Sequence, residues 1–295
     1  MTSGRTKAWI RGMLWTSPWW LGFLLFLAGP MVVSFYISLC DYPLIEAPVY
    51  VGAANYVDLA RDPLFHKVLI NTLIYAAFAI PLGTIIAILL ACLLNAKVPG
   101  QAIFRTCIFV PTIVPLVAAA VVWMWMLNPE YGLVNEVLRL VGIEGPTWLA
   151  SPRWAMASLI LISLWILGSP VVIYLAGLQE IPDALYEAAW LDGAGTVRQF
   201  WHVTLPGISP IILFNVVIAI IATWQIFALP YVMMNGSPGP DRATYFYTMY
   251  LYDNAFRFLR MGTASAMAWV QLLIILVLTG LVFLLSRRAV HYRGA

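Results

Sequence analysis

Long apolar stretches separated by shorter polar segments dominate the chain. Each stretch lacks Asp, Glu, Lys and Arg over about 20 residues or more, the length that an α-helix needs to cross a bilayer. In hydrocarbon a helix satisfies its own backbone hydrogen bonds, so apolar stretches of this length favour helices. The pattern predicts an all-α integral membrane fold with six transmembrane helices, near residues 18–39, 69–94, 107–127, 155–178, 208–230 and 264–286.

Prolines and glycines occur inside the second, third and fourth of these predicted helices. A proline removes one backbone donor and its ring clashes with the preceding turn, so it kinks or breaks a helix. The freed carbonyls must then be satisfied by neighbouring groups or by a water-lined cavity. We therefore expect interruptions of the helical hydrogen bonding near Pro81 and Gly83, Pro111 and Pro115, and Gly168 and Pro170.

Composition supports a multi-pass membrane protein. Hydrophobic residues make up 62% of the chain and charged residues only 10%, whereas soluble domains carry about 25% charged residues. A formal net charge of +3 gives no indication of nucleic-acid binding. The first apolar stretch is too long for the core of a signal peptide and has no small-residue cleavage site, so we expect it to remain in the mature protein.

The polar segment at about residues 180–206, here called the connector, lies between the fourth and fifth predicted helices. Pro182 suits the first turn of a short helix, because its fixed φ and missing N–H cost little there. Gly193 or Gly195 can end that helix in the left-handed conformation. Thr196 and Gln199 are spaced as a capping box, which predicts that a second short helix begins there. This helix is expected to stop before Pro206.

The connector contains Glu187-Ala188-Ala189, then Asp192-Gly193-Ala194, and further on Phe200, Val203 and Leu205-Pro206. This pattern resembles the EAA loop of the permeases of binding-protein-dependent ABC importers. In that family the loop is a cytoplasmic coupling helix that docks on an ATPase, and Val203 stands where the family usually has isoleucine. The resemblance implies a type I ABC importer permease fold. The positions that we expect to couple to an ATPase are Glu187, Ala188, Ala189, Asp192, Gly193, Ala194, Leu205 and Pro206.

Further segments are similar to the carbohydrate branch of these permeases, the maltose, lactose and glycerol-phosphate type. They lie at 51–56, 62–65, 71–73, 104–111, 123–135, 175–182 and 256–266, whereas 235–240 departs from the turn usual in the family. The resemblance implies a permease core at 69–286. The first helix and first external loop (1–68) would precede it, and a basic tail (287–295) would follow.

The distribution of basic residues predicts the orientation. Loops on the side of the N-terminus carry the larger share of Lys and Arg, and cytoplasmic loops show this excess. We expect both termini and the connector to be cytoplasmic, in a plasma membrane of the bacterial (inner-membrane) type. The resemblance implies as partners a second permease subunit, two ABC ATPase subunits and an external solute-binding protein, besides the lipid bilayer.

Motifs for enzymatic chemistry are missing from the sequence. There is no GxxxxGK[ST], GxSxG or HExxH, so we predict neither a catalytic residue nor a metal site nor a cofactor, and ATP would be bound by the partner ATPases. No charged residue lies within a predicted span, which disfavours ion coupling. The expected function is that of a permease subunit in ATP-driven sugar import; the alternatives are an ion-coupled secondary transporter or channel subunit and a membrane scaffold.

Polar and aromatic residues of the fifth predicted helix are candidates for a solute path. A sugar presents hydroxyls to amides and apolar C–H faces to aromatic rings. Trp and Tyr also gather at bilayer interfaces as anchors, which is the other interpretation of these aromatic residues. The candidate residues are Asn215, Trp224, Gln225 and Tyr231.

Overall fold

The structure is a computed structural model that describes residues 2–96 and 99–287, and side chains from residue 9 onward. Apart from Arg287, the predicted basic tail lies outside these residues. The described chain is mainly helical, with a short antiparallel ladder that pairs Cys40 with Tyr50 and Asp41 with Val49. Contacts divide the chain into one unit of Met1–Asp62 with Leu251–Leu272 and another of Pro63–Tyr250 with Leu273–Ala295.

Six helices or helix pairs of the described chain are long and apolar enough to cross a membrane, and we call them spans one to six. Three are single stretches and three are bent pairs. Span one combines Thr2–Phe23, a π-helical turn and Gly29–Ser38, while spans two and six are Pro63–Asn95 and Met261–Ser286. The bent pairs are span three (Gln101–Ile113 and Leu116–Met126, 101°), span four (Pro152–Trp165 and Gly168–Gln179, 47°) and span five (Thr196–Gly207 and Ser209–Trp224, 66°).

Shorter elements join the spans. Strands Cys40–Asp41 and Val49–Tyr50 and helix Ala54–Arg61 follow span one, and helix Leu133–Leu140 follows span three. Between spans five and six lie Ala228–Met233, a 3-10 turn at Pro240–Arg242, Tyr247–Tyr252 and a π-helical turn at Asp253–Arg257. Segment 235–240 forms a turn with positive φ at Asn235, Gly236 and Gly239.

The predicted interruptions are confirmed near Pro115 in span three and near Gly168 in span four, but they are wrong for span two and for Pro111, which lies inside the helix Gln101–Ile113. Span three breaks at Val114 and Pro115, and span four breaks at Ile166 and Leu167, directly before Gly168. Span two instead continues without a break through Pro81 and Gly83. Gly83 serves packing there, because a methyl group at this position would lie 3.3 Å from Leu167 of span four.

The core of the second unit lies between span two and the second half of span four. Ala87 and Ala91 are fully buried and lie one helical turn apart on span two. Small residues at this spacing let two helices approach closely in a membrane. Their partners in the cluster are Ile88, Leu94, Val171, Tyr174, Leu175, Leu178, Ile181 and Ile208.

In the first unit, a buried asparagine ties helix Ala54–Arg61 to the end of span one. The Asn55 amide donates to the carbonyl oxygens of Ser38 and Cys40, each at 2.9 Å. Phe35 of span one packs edge-to-face on Trp269 of span six, with ring centroids 5.1 Å apart. The two amide bonds satisfy the carbonyl of the last helical residue of span one and one just beyond it, at an end that lacks helical partners.

In the second unit, span two binds the backbone of the segment after residue 240. The Asn71 amide donates to the carbonyl oxygens of Arg242 at 2.8 Å and Tyr245 at 3.0 Å. The Thr72 hydroxyl accepts from the backbone N–H of Tyr247 at 3.0 Å and donates to the Val68 carbonyl. Thr72 is fully buried, so water does not replace a lost bond there.

We predict that Thr72→Val destabilises the protein, because valine keeps the shape and removes the acceptor for the Tyr247 N–H. A buried donor that loses its partner costs about 1–3 kcal/mol. Thermal unfolding of the purified protein in detergent measures the effect. Thr72→Ser, which keeps the hydroxyl, is the matched control and should stay closer to wild type. Equal stability of the valine variant and wild type would show that this bond is unimportant.

Candidate functional site

The first helix of the connector runs over Asp183–Leu191. Pro182 is the residue before this helix and not part of its first turn, because its ψ of 133° is extended. Of the two glycines considered for its end, Gly193 has a φ of +78°, while Gly195 has a φ of −69°. The N–H of Ala194 bonds the Ala189 carbonyl and the N–H of Gly193 bonds the Trp190 carbonyl, each at 2.9 Å. This pair of bonds is a Schellman motif, which fixes the direction in which the chain leaves the helix.

The second helix of the connector begins at Thr196 as predicted, but the predicted capping box is wrong. Gly195 is the N-cap residue, and Thr196 already has a helical backbone, so its hydroxyl makes no capping bond. The Gln199 side chain reaches back instead and donates to the Ala194 carbonyl at 2.9 Å. The link therefore joins the second helix to the turn that ends the first.

The predicted end of this second helix before Pro206 is also wrong. A π-helical turn at Phe200–Thr204 follows Thr196–Gln199, and the helix continues through Leu205–Gly207. The N–H of Leu205 bonds the Phe200 carbonyl, five residues earlier. This widened turn directly before the proline is a usual way for a helix to accommodate an irregularity. The chain then bends at Ile208 into the second half of span five, Ser209–Trp224.

The inner side of the connector is anchored to the core. Tyr186 and Thr204 share a hydroxyl–hydroxyl bond of 3.0 Å, which ties the first helix to the π-helical turn. Tyr186, Phe200 and Val203 pack against the cluster between spans two and four. The connector is therefore bound to the membrane helices through its two ends and through these side chains.

The outer side of the connector is exposed and largely apolar. Trp190 is 69% exposed, Leu191 79% and Val197 72%. Glu187 lies on the same helix as Trp190 and is also exposed. Of the other residues predicted to couple to an ATPase, Ala188, Asp192 and Gly193 are exposed, and Ala189, Ala194, Leu205 and Pro206 are half-buried. Large exposed apolar groups beside charged ones are typical of a protein interaction surface.

A cavity of about 290 Å3 lies between spans two, four and five. Tyr174 is 1% exposed, and its hydroxyl makes no hydrogen bond of normal geometry within the described part of the chain, although the Thr84 side chain lies near enough to interact with it. A buried hydroxyl without a partner is a group that a polar ligand can satisfy. Across residues 2–96 and 99–287, no three His, Cys, Asp or Glu side chains come together to hold a metal ion. The polar residues that line the cavity are Tyr75, Thr84, Ser163, Tyr174, Asn215 and Thr223.

The structure places the four predicted solute-path residues in different surroundings. Asn215 lines the cavity and donates to the Ile211 carbonyl at 3.1 Å. Trp224 is buried against Tyr247, and its carbonyl accepts from Thr248. Gln225 is exposed at the end of span five, and Tyr231 stacks on Phe227 beyond it. The cavity therefore contains only the first of the four among its lining residues.

The two tyrosines of the cavity did not emerge from the sequence. Tyr75 lies in span two and Tyr174 lies in span four, whereas the sequence prediction considered span five alone. The sequence did carry a signal for them, since each is a hydroxyl-bearing ring inside an apolar stretch.

Outside the spans, burial raises the pKa of the Tyr247 phenol above its usual range, so this ring stays neutral beside Trp224.

Comparison with known proteins identifies the family. Residues 79–291 match the model of the family described as "Binding-protein-dependent transport system inner membrane component". The chain is similar to the probable ABC transporter permease protein YesP of Bacillus subtilis, with 37% identity over 97% of this chain and 93% of that protein. It is also 37% identical to the sulfoquinovosyl glycerol transport system permease protein SmoG of Agrobacterium fabrum, over 75% of this chain and 72% of the relative.

A solved structure has the same fold. One chain of a bacterial alginate ABC transporter, crystallised in complex with a periplasmic protein that holds an alginate pentasaccharide, superposes with a TM-score of 0.81 and 25% identity. The match covers 97% of this chain and 96% of that chain. These findings confirm the predicted all-α integral membrane fold and the resemblance from which the function was inferred. The chain therefore belongs to the family of inner membrane permease components of binding-protein-dependent ABC transport systems.

Proposed function

We propose that this protein is a permease subunit of an ATP-driven importer and that its cargo is a sugar or a sugar derivative. One observation carries the proposal: the connector is fixed to the core on one side and presents Glu187 and Trp190 on the other. An ATP-driven transport subunit without an ATPase motif of its own needs such a surface to receive work from another subunit. ATP is then hydrolysed by the partner subunits and not by this chain.

The exposed face of the connector would dock on an ABC ATPase. Trp190 and Leu191 supply apolar area, and aromatic residues of this kind dominate the energetics of interfaces. Glu187 supplies a carboxylate that can accept charge-assisted hydrogen bonds from arginine or backbone donors. This arrangement requires the connector and both termini to lie in the cytoplasm, the orientation that the distribution of Lys and Arg favours.

The cavity between spans two, four and five would lie on the path of the solute. Its tyrosine, threonine, serine and asparagine side chains offer neutral hydrogen-bonding groups, which match the hydroxyls of a carbohydrate. Similarity to SmoG and to the alginate transporter supports a carbohydrate cargo. Asn215 lines this cavity and stays a candidate for the path, and Trp224, Gln225 and Tyr231 stay candidates further along span five and beyond.

The proposed assembly contains partners that are absent from this chain. An external solute-binding protein would deliver the cargo, as in the alginate complex, whose periplasmic protein carries the sugar. A second permease would complete the translocation path, and two ABC ATPase subunits would dock on the connectors of the two permeases. Closure of the ATPase pair on ATP would then draw the connectors together and move the spans to which they are anchored.

We predict that Glu187→Lys leaves the protein inserted in the membrane but abolishes transport, because it reverses the charge that meets the ATPase. The solubilised wild type should co-purify with an ABC ATPase and a second permease, and the variant should lose the ATPase. Uptake of a labelled sugar on which the wild-type strain grows gives the second readout. Glu144→Lys, an exposed charge reversal away from the connector, is the control.

Two results would contradict this assignment. One is normal uptake and normal ATPase recovery with Glu187→Lys. The other is wild-type uptake that survives ATP depletion and collapses with the ion gradient, since this result would identify an ion-coupled carrier.

We predict that Gly193→Val uncouples transport, because a β-branched residue resists the φ of +78° that the Schellman motif requires. Even a simple L-residue costs about 1–2 kcal/mol in this conformation. Gly195→Val is the matched control, since Gly195 has a negative φ and open space around its Cα. ATPase activity of the purified assembly, stimulated by binding protein and sugar, should fall with the first change and persist with the second. Full stimulation in both variants would show that the turn is dispensable.

We predict that Tyr174→Phe weakens the apparent affinity for the cargo, because it removes a buried hydroxyl that lines the cavity and makes no hydrogen bond of normal geometry with the described residues. Loss of one hydrogen bond of about 1 kcal/mol corresponds to roughly a fivefold rise in the KM for uptake. Tyr131→Phe, which removes an exposed hydroxyl outside the spans, should leave KM unchanged. An unchanged KM for Tyr174→Phe would remove this hydroxyl from the solute path.

A further inference from the structure

A pocket of about 260 Å3 lies between the first half of span three and the second half of span four, beside the end of span two. The two half-spans touch at Gly168, where a methyl group would lie 2.7 Å from the Ile108 carbonyl oxygen. Beyond this contact they leave a cleft that extends towards Arg105 and Gln179. Gln179 is the last residue of span four, so the cleft opens at the end that carries the connector.

Arg105 is the charged residue of this pocket. Its Nε is buried and has no hydrogen-bond partner within the described chain. Neither ion pair found among the described residues includes it. Arg105 is half-buried. Because a guanidinium stays protonated in proteins, and a partly desolvated charge is stabilised by a counter-charge, an anionic group from outside this chain would suit the pocket.

The walls of the pocket indicate what kind of molecule carries that anion. Val171 and Leu175 are buried on its inner side, whereas Phe109 and Val172 are 40% and 47% exposed on its outer side. These residues belong to helices that are long and apolar enough to cross a membrane, so the exposed outer side lies at membrane depth. Polar groups occur at one end of the pocket and apolar groups along the rest, which is the pattern that an amphiphile needs.

We propose that this pocket binds an anionic phospholipid. The phosphate would accept charge-assisted hydrogen bonds from the Arg105 guanidinium, with the Gln179 amide beside it, and an acyl chain would lie along Phe109 and Val172. Arg105 follows the start of its helix by four residues, or about 6 Å, so its long side chain reaches the headgroup level. Basic pockets between spans on the cytoplasmic side are known to suit such headgroups. This pocket is separate from the solute cavity, and the lipid proposal does not depend on the proposed transport function.

A free phosphate or the carboxylate of another subunit would also neutralise Arg105, but each explains less. Free phosphate leaves the apolar outer wall uncovered. A carboxylate from another subunit would have to reach a pocket whose walls are three spans of this chain. A phospholipid satisfies the cation and covers the apolar wall with one molecule.

The experiment is native mass spectrometry of the full chain in a non-ionic detergent, with dioleoyl phosphatidylglycerol or dioleoyl phosphatidylcholine added. Wild type should hold one saturable phosphatidylglycerol in preference to phosphatidylcholine. Arg105→Gln should lower that affinity about fivefold, the effect of about 1 kcal/mol for one basic residue. Arg105→Lys keeps the positive charge, so it should lower the affinity for phosphatidylglycerol less than Arg105→Gln does. Arg61→Gln, at an exposed arginine outside the spans, should change nothing.

Val172→Trp tests the same site without removing the charge, because it fills the outer side of the pocket. It should also reduce retention of phosphatidylglycerol, and it keeps the proposal falsifiable if Arg105→Gln fails to fold. Wild-type retention in both variants would overturn the proposal. Displacement of the lipid by millimolar inorganic phosphate would overturn it in favour of a free anion. Unchanged lipid binding with loss of a co-purifying subunit in Arg105→Gln would overturn it in favour of a subunit carboxylate.

Discussion

The packing of span two against the second half of span four is the contact on which the rest of the second unit depends. Lipid tails are as apolar as the side chains, so the hydrophobic effect does not drive helices together inside a bilayer. The helices associate instead through close packing and a few hydrogen bonds. Gly83, Ala87 and Ala91 recur every fourth residue on span two and permit this approach. The same half of span four borders three sites: Tyr174 faces the cavity, Leu178 lies in the core beside the connector, and Gln179 borders the Arg105 pocket.

The bends in the spans lie where the functional spaces are. Span four changes direction at Ile166 and Leu167, and Leu167 and Pro170 line the cavity. Directly after the bend, Gly168 brings span four onto Phe109 of span three. A straight helix would continue its packing past the bend. The bent helix instead leaves space on the side of the cavity and makes close contact on the side of span three. Irregular backbone at membrane depth is tolerated where it lines such a cavity or is buried in protein.

The sequence was sufficient for the positions of the spans and for the outline of the connector, because both follow from local patterns. Runs of apolar residues mark the spans, and the glycines at 193 and 195 mark the end of the first connector helix, although only the structure shows that Gly193 is the one with positive φ. Local sequence rules failed where contacts with neighbouring parts of the fold determine the backbone conformation. Pro206 stays in a helix because a π-helical turn precedes it, and Gly83 packs against Leu167 instead of breaking span two. The cavity tyrosines were missed because residues 75 and 174 converge only in the folded bundle.

The anchoring of the connector also determines how a force applied to it would travel. Ile181 and Ile208 flank the connector and both belong to the buried cluster with Tyr174 and Val171. Close-packed interiors transmit displacement because they have few voids in which to absorb it. A pull on the connector would therefore act on the second half of span four as a rigid piece, with the 47° bend as the nearest point at which the helix can pivot. Tyr174 lies on that piece and faces the cavity, so movement at the proposed ATPase surface would change the shape of a cavity that has no Asp, Glu, Lys or Arg among its lining residues.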